Sequence, residues 1–115
     1  MTKMIKAINN AVGIEISGMA NGMFTVKAIF EKDTATERNI SLFELKRFME
    51  ENGKCMAFYQ GENGEQLRIW TESSNRILTR KDEVVCILFE PPTKGADLIV
   101  VEKDDFMNEI RSLIQ

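Results

Sequence analysis

Val84-Val85-Cys86-Ile87-Leu88-Phe89 is an unbroken apolar run, followed by Glu90-Pro91-Pro92. A half-exposed strand alternates, and a surface helix shows a 3.6-residue stripe. A run that does neither reads as a strand covered on both faces. It therefore predicts the central strand of a sheet. The prolines end it, because proline has no N–H to give to a ladder. On the C-terminal side, Leu98 to Val101 predicts a second buried strand. On the N-terminal side, residues 76–80 predict a strand that turns through Lys81-Asp82-Glu83 into the central one.

Further out, residues 55–60 and 66–72 read as a hairpin around Asn63-Gly64. A two-residue turn pairs Phe58 with Ile69 and Gln60 with Leu67 on one face. It pairs Ala57 with Trp70 and Tyr59 with Arg68 on the other. Before it, Ser41-Leu42-Phe43-Glu44 has the spacing of a capping box: Ser41 accepts from the Glu44 N–H and Glu44 returns a bond to the Ser41 N–H. Ile40 is placed to staple against Leu45. Leu42, Leu45, Phe48 and Met49 form a helical stripe, with Lys46, Arg47, Glu50 and Glu51 outside it. Asn52-Gly53 stops this helix, with glycine suited to the left-handed position.

Residues 12–18 and 23–31 read as another hairpin, turning at Ala20-Asn21-Gly22. A two-residue loop there puts the two apolar sets on opposite faces. A three-residue loop with Gly22 at positive φ pairs Ile16 with Val26 and Ile14 with Ala28, and burial selects it. Residues 3–9 fit a short helix or a leading strand equally well. At the far end, Asp104 or Asp105 caps a last helix, with Phe106, Ile110, Leu113 and Ile114 on its inner side.

These elements predict an α+β fold in a single domain over residues 1–115: one curved, mostly antiparallel sheet of six to seven strands, in the order ββαβββββα, packed with two helices. The 43% hydrophobic and 29% charged composition suits a folded chain. No internal repeat is visible. No apolar run approaches a membrane span, and the first residues lack the apolar core of an export signal. Cys55 and Cys86 lie in apolar runs, as buried reduced thiols do. The expectation is a cytoplasmic protein with no membrane association.

The chain contains no histidine. That removes the commonest general base and metal ligand, and every serine–histidine or cysteine–histidine triad. The two cysteines lack metal-ligand spacing. Asp104-Asp105 opens a helix, where acidic groups complement the dipole. Gly61-Glu62-Asn63-Gly64 is a hairpin turn rather than a phosphate loop. No catalytic residues, metal ligands or cofactor are expected.

Two surfaces remain. Tyr59, Arg68 and Trp70, with Arg76 and Arg80 close in sequence, combine aromatics with cations. Such a face anchors a protein partner or stacks single-stranded bases, unless a helix covers it and Trp70 is core. The second surface is acidic: residues 82–115 carry three basic and eight acidic groups, among them Asp97, Glu102 and Asp105. The sequence thus points to a non-catalytic protein-binding module that occludes a partner surface, of the inhibitor, immunity or phage and mobile-element accessory type. The alternative is a single-stranded nucleic-acid binder. A homodimer is compatible with either reading.

Overall fold

The computed structural model describes residues 2–9, 11–18, 21–31, 35–73, 83–90 and 98–114. Four strands come first: β1 (Thr2–Lys6), β2 (Gly13–Gly18), β3 (Met23–Ile29) and β4 (Ala35–Ser41). Helix α1 (Leu42–Glu50) follows. Four more strands, β5 (Ala57–Gln60), β6 (Gln66–Ser73), β7 (Glu83–Glu90) and β8 (Leu98–Glu102), lead into α2 (Lys103–Ile114). The α+β class is as expected, but the single sheet is not. The strands form two four-stranded antiparallel sheets, each a simple meander, β1-β2-β3-β4 and β5-β6-β7-β8. Among the described residues each half of the chain is four strands and a helix, a repeat of element order that no repeat of residues announces. The expected strand at 76–80, its turn at Lys81-Asp82 and the strand-ending Pro91 and Pro92 lie outside the described residues.

In the first sheet, Ile16 faces Val26 and Ile14 faces Ala28, the register that burial selects. Asn21 and Gly22 both have positive φ, 66° and 72°. Residues 2–6 resolve the ambiguity at the N-terminus as strand, with Ile5 opposite Ile14. β4 was not anticipated. Its inward positions are Thr36, Arg38 and Ile40, too polar to read as a strand, and it forms because β3 offers it a free edge. The inner face carries Ile5, Ile14, Ile16, Val26, Ala28 and Ile40, all buried. The outer face is mostly polar: Glu15, Lys27 and Glu37 stand in one cross-strand row that begins with the exposed Met4, and Thr2 Oγ1 lies 3.0 Å from Ser17 Oγ beside it.

Ser41 caps α1, accepting from the Glu44 N–H at 3.1 Å. Glu44 does not take up the reciprocal role of a capping box. Its Oε1 accepts from the Phe58 N–H at 2.9 Å and from Arg47 Nη2 at 3.0 Å. Arg47 Nη2 also donates to Met56 O at 3.1 Å. Two groups on the strand's outer edge thereby find side-chain partners where a neighbouring strand would lie, which blunts that edge. The helix ends through Asn52 and Gly53, with φ of 53° and 81°. Gly53 is required here twice over: a Cβ would collide with Thr71 Cγ2, and the φ is left-handed.

In the second hairpin the expected register is wrong by one residue. Ala57 faces Ile69, Phe58 faces Arg68 and Tyr59 faces Leu67. Gly61 N–H donates to Glu65 O at 2.7 Å, and Gly64 has φ 84°, so three residues turn the chain instead of two. Burial decided this register too. It gathers Ala57, Leu67 and Ile69 onto one face with Ile87 and Ile99, all fully buried. β7 is an interior strand as predicted, with Val84, Val85, Cys86, Ile87 and Phe89 buried.

One core cluster joins the inner faces of both sheets to Leu45 and Phe48 of α1 and Phe106, Met107 and Ile110 of α2. Phe48 and Phe106 meet edge to face, centroids 5.7 Å apart. The sheets are tied at their rims. Ile8 N–H donates to Val100 O at 2.8 Å, and the Asn9 side chain donates to Leu98 O at 2.7 Å while accepting from the Val100 N–H at 3.3 Å. Arg38 donates to Glu90 O at 3.3 and 3.4 Å. Asp104 and Asp105 sit inside the first turn of α2, so the expected cap is displaced; they complement the dipole instead. Cys55 precedes β5 and is exposed, against expectation; Cys86 is buried, and both thiols are free. Among the described residues no helix is long and apolar enough to cross a membrane.

Candidate functional site

The two sheets differ on their outer faces. Where the first is mostly polar, the second carries Phe58, Arg68, Leu88 and Leu98, all half-buried, in one cross-strand row, and a half-buried Trp70 beside the buried Cys86 and Val100 in the next. Alternation along β6 produces this face: Gln66, Arg68 and Trp70 point out while Leu67 and Ile69 point in. Both helices pack on the inner side, so neither covers it. Val84, Cys86 and Val100 form a small buried cluster here, with Ile8, Trp70 and Leu98 packed against it.

Beside Trp70 the face opens into a groove of about 440 Å³, lined by Gly53, Lys54, Met56, Arg68, Trp70, Thr71, Leu88 and Glu90. Its volume falls in the range of small-ligand and side-chain pockets. The C-terminal bend of α1 forms one wall. Thr71 Oγ1 donates to Gly53 O at 2.9 Å and holds that bend against β6. Met56 is 43% exposed at the rim.

Arg68 is held from three directions. Its guanidinium lies over the Phe58 ring, 5.4 Å from the centroid. Nη2 donates to Gln66 Oε1 at 3.0 Å. Nε is shielded from solvent and makes an ion pair with Glu90 Oε1 at 3.3 Å without hydrogen-bond geometry. The pair is partly solvated and worth about 0–1 kcal/mol at most. Cys86 lies opposite Trp70, its Sγ 3.6 Å from Glu72 Oε2. Burial, with the Glu72 charge adding to it, pushes the thiol up to about 12. It is therefore no nucleophile near neutral pH.

Of the residues singled out from the sequence, Arg68 and Trp70 are brought together in this groove. Tyr59 is not with them. The one-residue change of register turns it to the inner face, where it packs against the core and lines a separate cleft of about 460 Å³ with Arg38 and Glu65. Arg76, Arg80 and Asp97 lie outside the described residues. Glu102 ends β8 and lines a third, polar cavity with Glu83 and Lys103, which pair at 3.0 Å. Asp105 is exposed on α2 and lines none of these three cavities. Phe58, Leu88, Lys54 and Met56 were missed. Choosing the second hairpin's register by burial, as for the first, finds Phe58 beside Arg68.

Among the described residues no three cysteine, aspartate or glutamate side chains converge as metal ligands. Compared with known protein families, curated proteins and solved structures, this chain matches none, and the groove is read on its own chemistry.

Proposed function

We propose that this chain is a non-catalytic binding module that acts by covering a surface of another protein with the outer face of its second sheet. The contrast between the two outer faces carries the reading. An aromatic and aliphatic surface with a fixed arginine has the make-up of an interface hot spot, and solvated polar rows do not. Trp70 and Phe58 serve as anchors, Arg68 as the oriented cation, and Glu72 and Glu102 as steering charges at the far end. Single-stranded nucleic acid is disfavoured, because Glu72 and Glu102 at the far end of this face repel an extended run of phosphates, and Tyr59 is turned away from it.

A photoreactive phenylalanine analogue at Met56 is expected to cross-link a discrete second protein in native extract, whereas one at Ser17, on the polar sheet, is not. Trp70→Ala should weaken that association by about 2 kcal/mol or more. Equal adducts from both faces would overturn the reading. So would substrate turnover by the purified chain that is lost on neutralising one of its carboxylates.

A further inference from the structure

We propose, building on the binding reading above, that the groove takes an acidic–apolar peptide segment: a large apolar side chain lodged against Trp70, Leu88 and Met56, with a carboxylate beside it facing Lys54 and Arg68. The shape of the groove provides the first half. Met56 and Leu88 supply aliphatic wall, and Trp70 supplies an aromatic one that is only half-buried, its other side packed on Val84, Cys86 and Val100.

Charge provides the second half. Lys54 and Arg68 outnumber Glu90 along the lining. Among the described residues the Lys54 ammonium has no ion-pair partner. Arg68 is stacked and oriented but under-used: among the described residues it donates to Gln66, and its contact with Glu90 lacks hydrogen-bond geometry. A carboxylate entering beside it meets a guanidinium already held over Phe58, at the small cost of loosening a partly solvated pair. A basic segment would meet Lys54 and Arg68 as like charges, and a wholly apolar one would leave Lys54 unpaired and Arg68 with Glu90 alone.

The test uses Trp70 as its own reporter, since the chain has one tryptophan. The probes are acetylated, amidated hexapeptides containing Glu-Leu-Phe, Lys-Leu-Phe or Glu-Ser-Ser between glycines, titrated at low salt. The Glu-Leu-Phe peptide is expected to change Trp70 emission saturably and to bind about fivefold or more tighter than either control. Lys54 is exposed, so Lys54→Glu leaves the fold intact, checked by an unchanged melting temperature; it should erase or reverse the preference between the Glu and Lys peptides.

The inference falls if no peptide gives a saturable change, if the preference survives Lys54→Glu, if dilution alone shifts Trp70 emission as a self-associating face would, or if an oligothymidine displaces the peptide. Adducts from Met56 that persist despite any of these peptide results would leave the protein-binding reading standing and remove only the acidic–apolar partner.

Discussion

At the scale of single residues, the two cysteines illustrate how environment separates identical side chains. Cys55 stands exposed between α1 and β5, and Cys86 is enclosed on β7 beside Glu72. A thiol reagent at pH 8 is expected to titrate one thiol rapidly in the native protein and both in denaturant; rapid reaction of two would contradict the burial of Cys86. Its raised value also sets a pH dependence. Below 9.0 the thiol is protonated whether the chain is folded or not, and the stabilising contribution is fully present. Between 9.0 and about 12 the unfolded chain loses the proton that the folded one keeps, so stability falls as pH rises. Urea midpoints measured from pH 8 to 11 should decline less steeply for Cys86→Ala than for the wild type. Parallel declines would mean that the thiol is not held in its neutral form.

At the scale of elements, α1 is the joint between the two halves, and Glu44 does more there than a capping residue. Ser41→Ala removes one cap bond, a loss of about 1 kcal/mol. Glu44→Ala frees the Phe58 N–H and releases Arg47 from its position over Met56 O. It should cost about 1–3 kcal/mol by urea denaturation, with Glu44→Gln recovering part of it, because an amide oxygen still accepts from Phe58. A loss of only a few tenths for Glu44→Ala would show that the edge of β5 needs no partner. The capping box was legible in the sequence because Ser41 and Glu44 are local. The use of Glu44 was not, because Phe58 lies 14 residues away and arrives only with the hairpin.

For the whole molecule, the question is what keeps two separate meanders together. The shared core supplies most of the cohesion, and Asn9 adds direction: its amide occupies the free edge of β8 much as a peptide group would, donating to Leu98 O and accepting from Val100 N–H. Asn9→Ala is expected to cost about 1–3 kcal/mol, since both partners lose a bond near the core. Hydrogen exchange should show it locally. The Val100 amide should exchange faster in the variant while Ile99, in the ladder toward β7, stays protected until global unfolding. Equal acceleration of both would mean that the variant loosens the whole sheet.

Local signals along the chain suffice for the α+β class, the interior position of β7, both helices and the first hairpin's register, because each rests on nearest-neighbour periodicity, capping chemistry or a continuous apolar run. Long-range packing settles that there are two sheets, that polar β4 is a strand, and that Tyr59 parts company with Arg68 and Trp70. Those outcomes depend on which edges remain free and which face meets the common core. A strand as polar as Ala35–Ser41 gains its hydrogen bonds from a neighbour's exposed edge, and a hairpin takes the register that buries Ala57, Leu67 and Ile69 together.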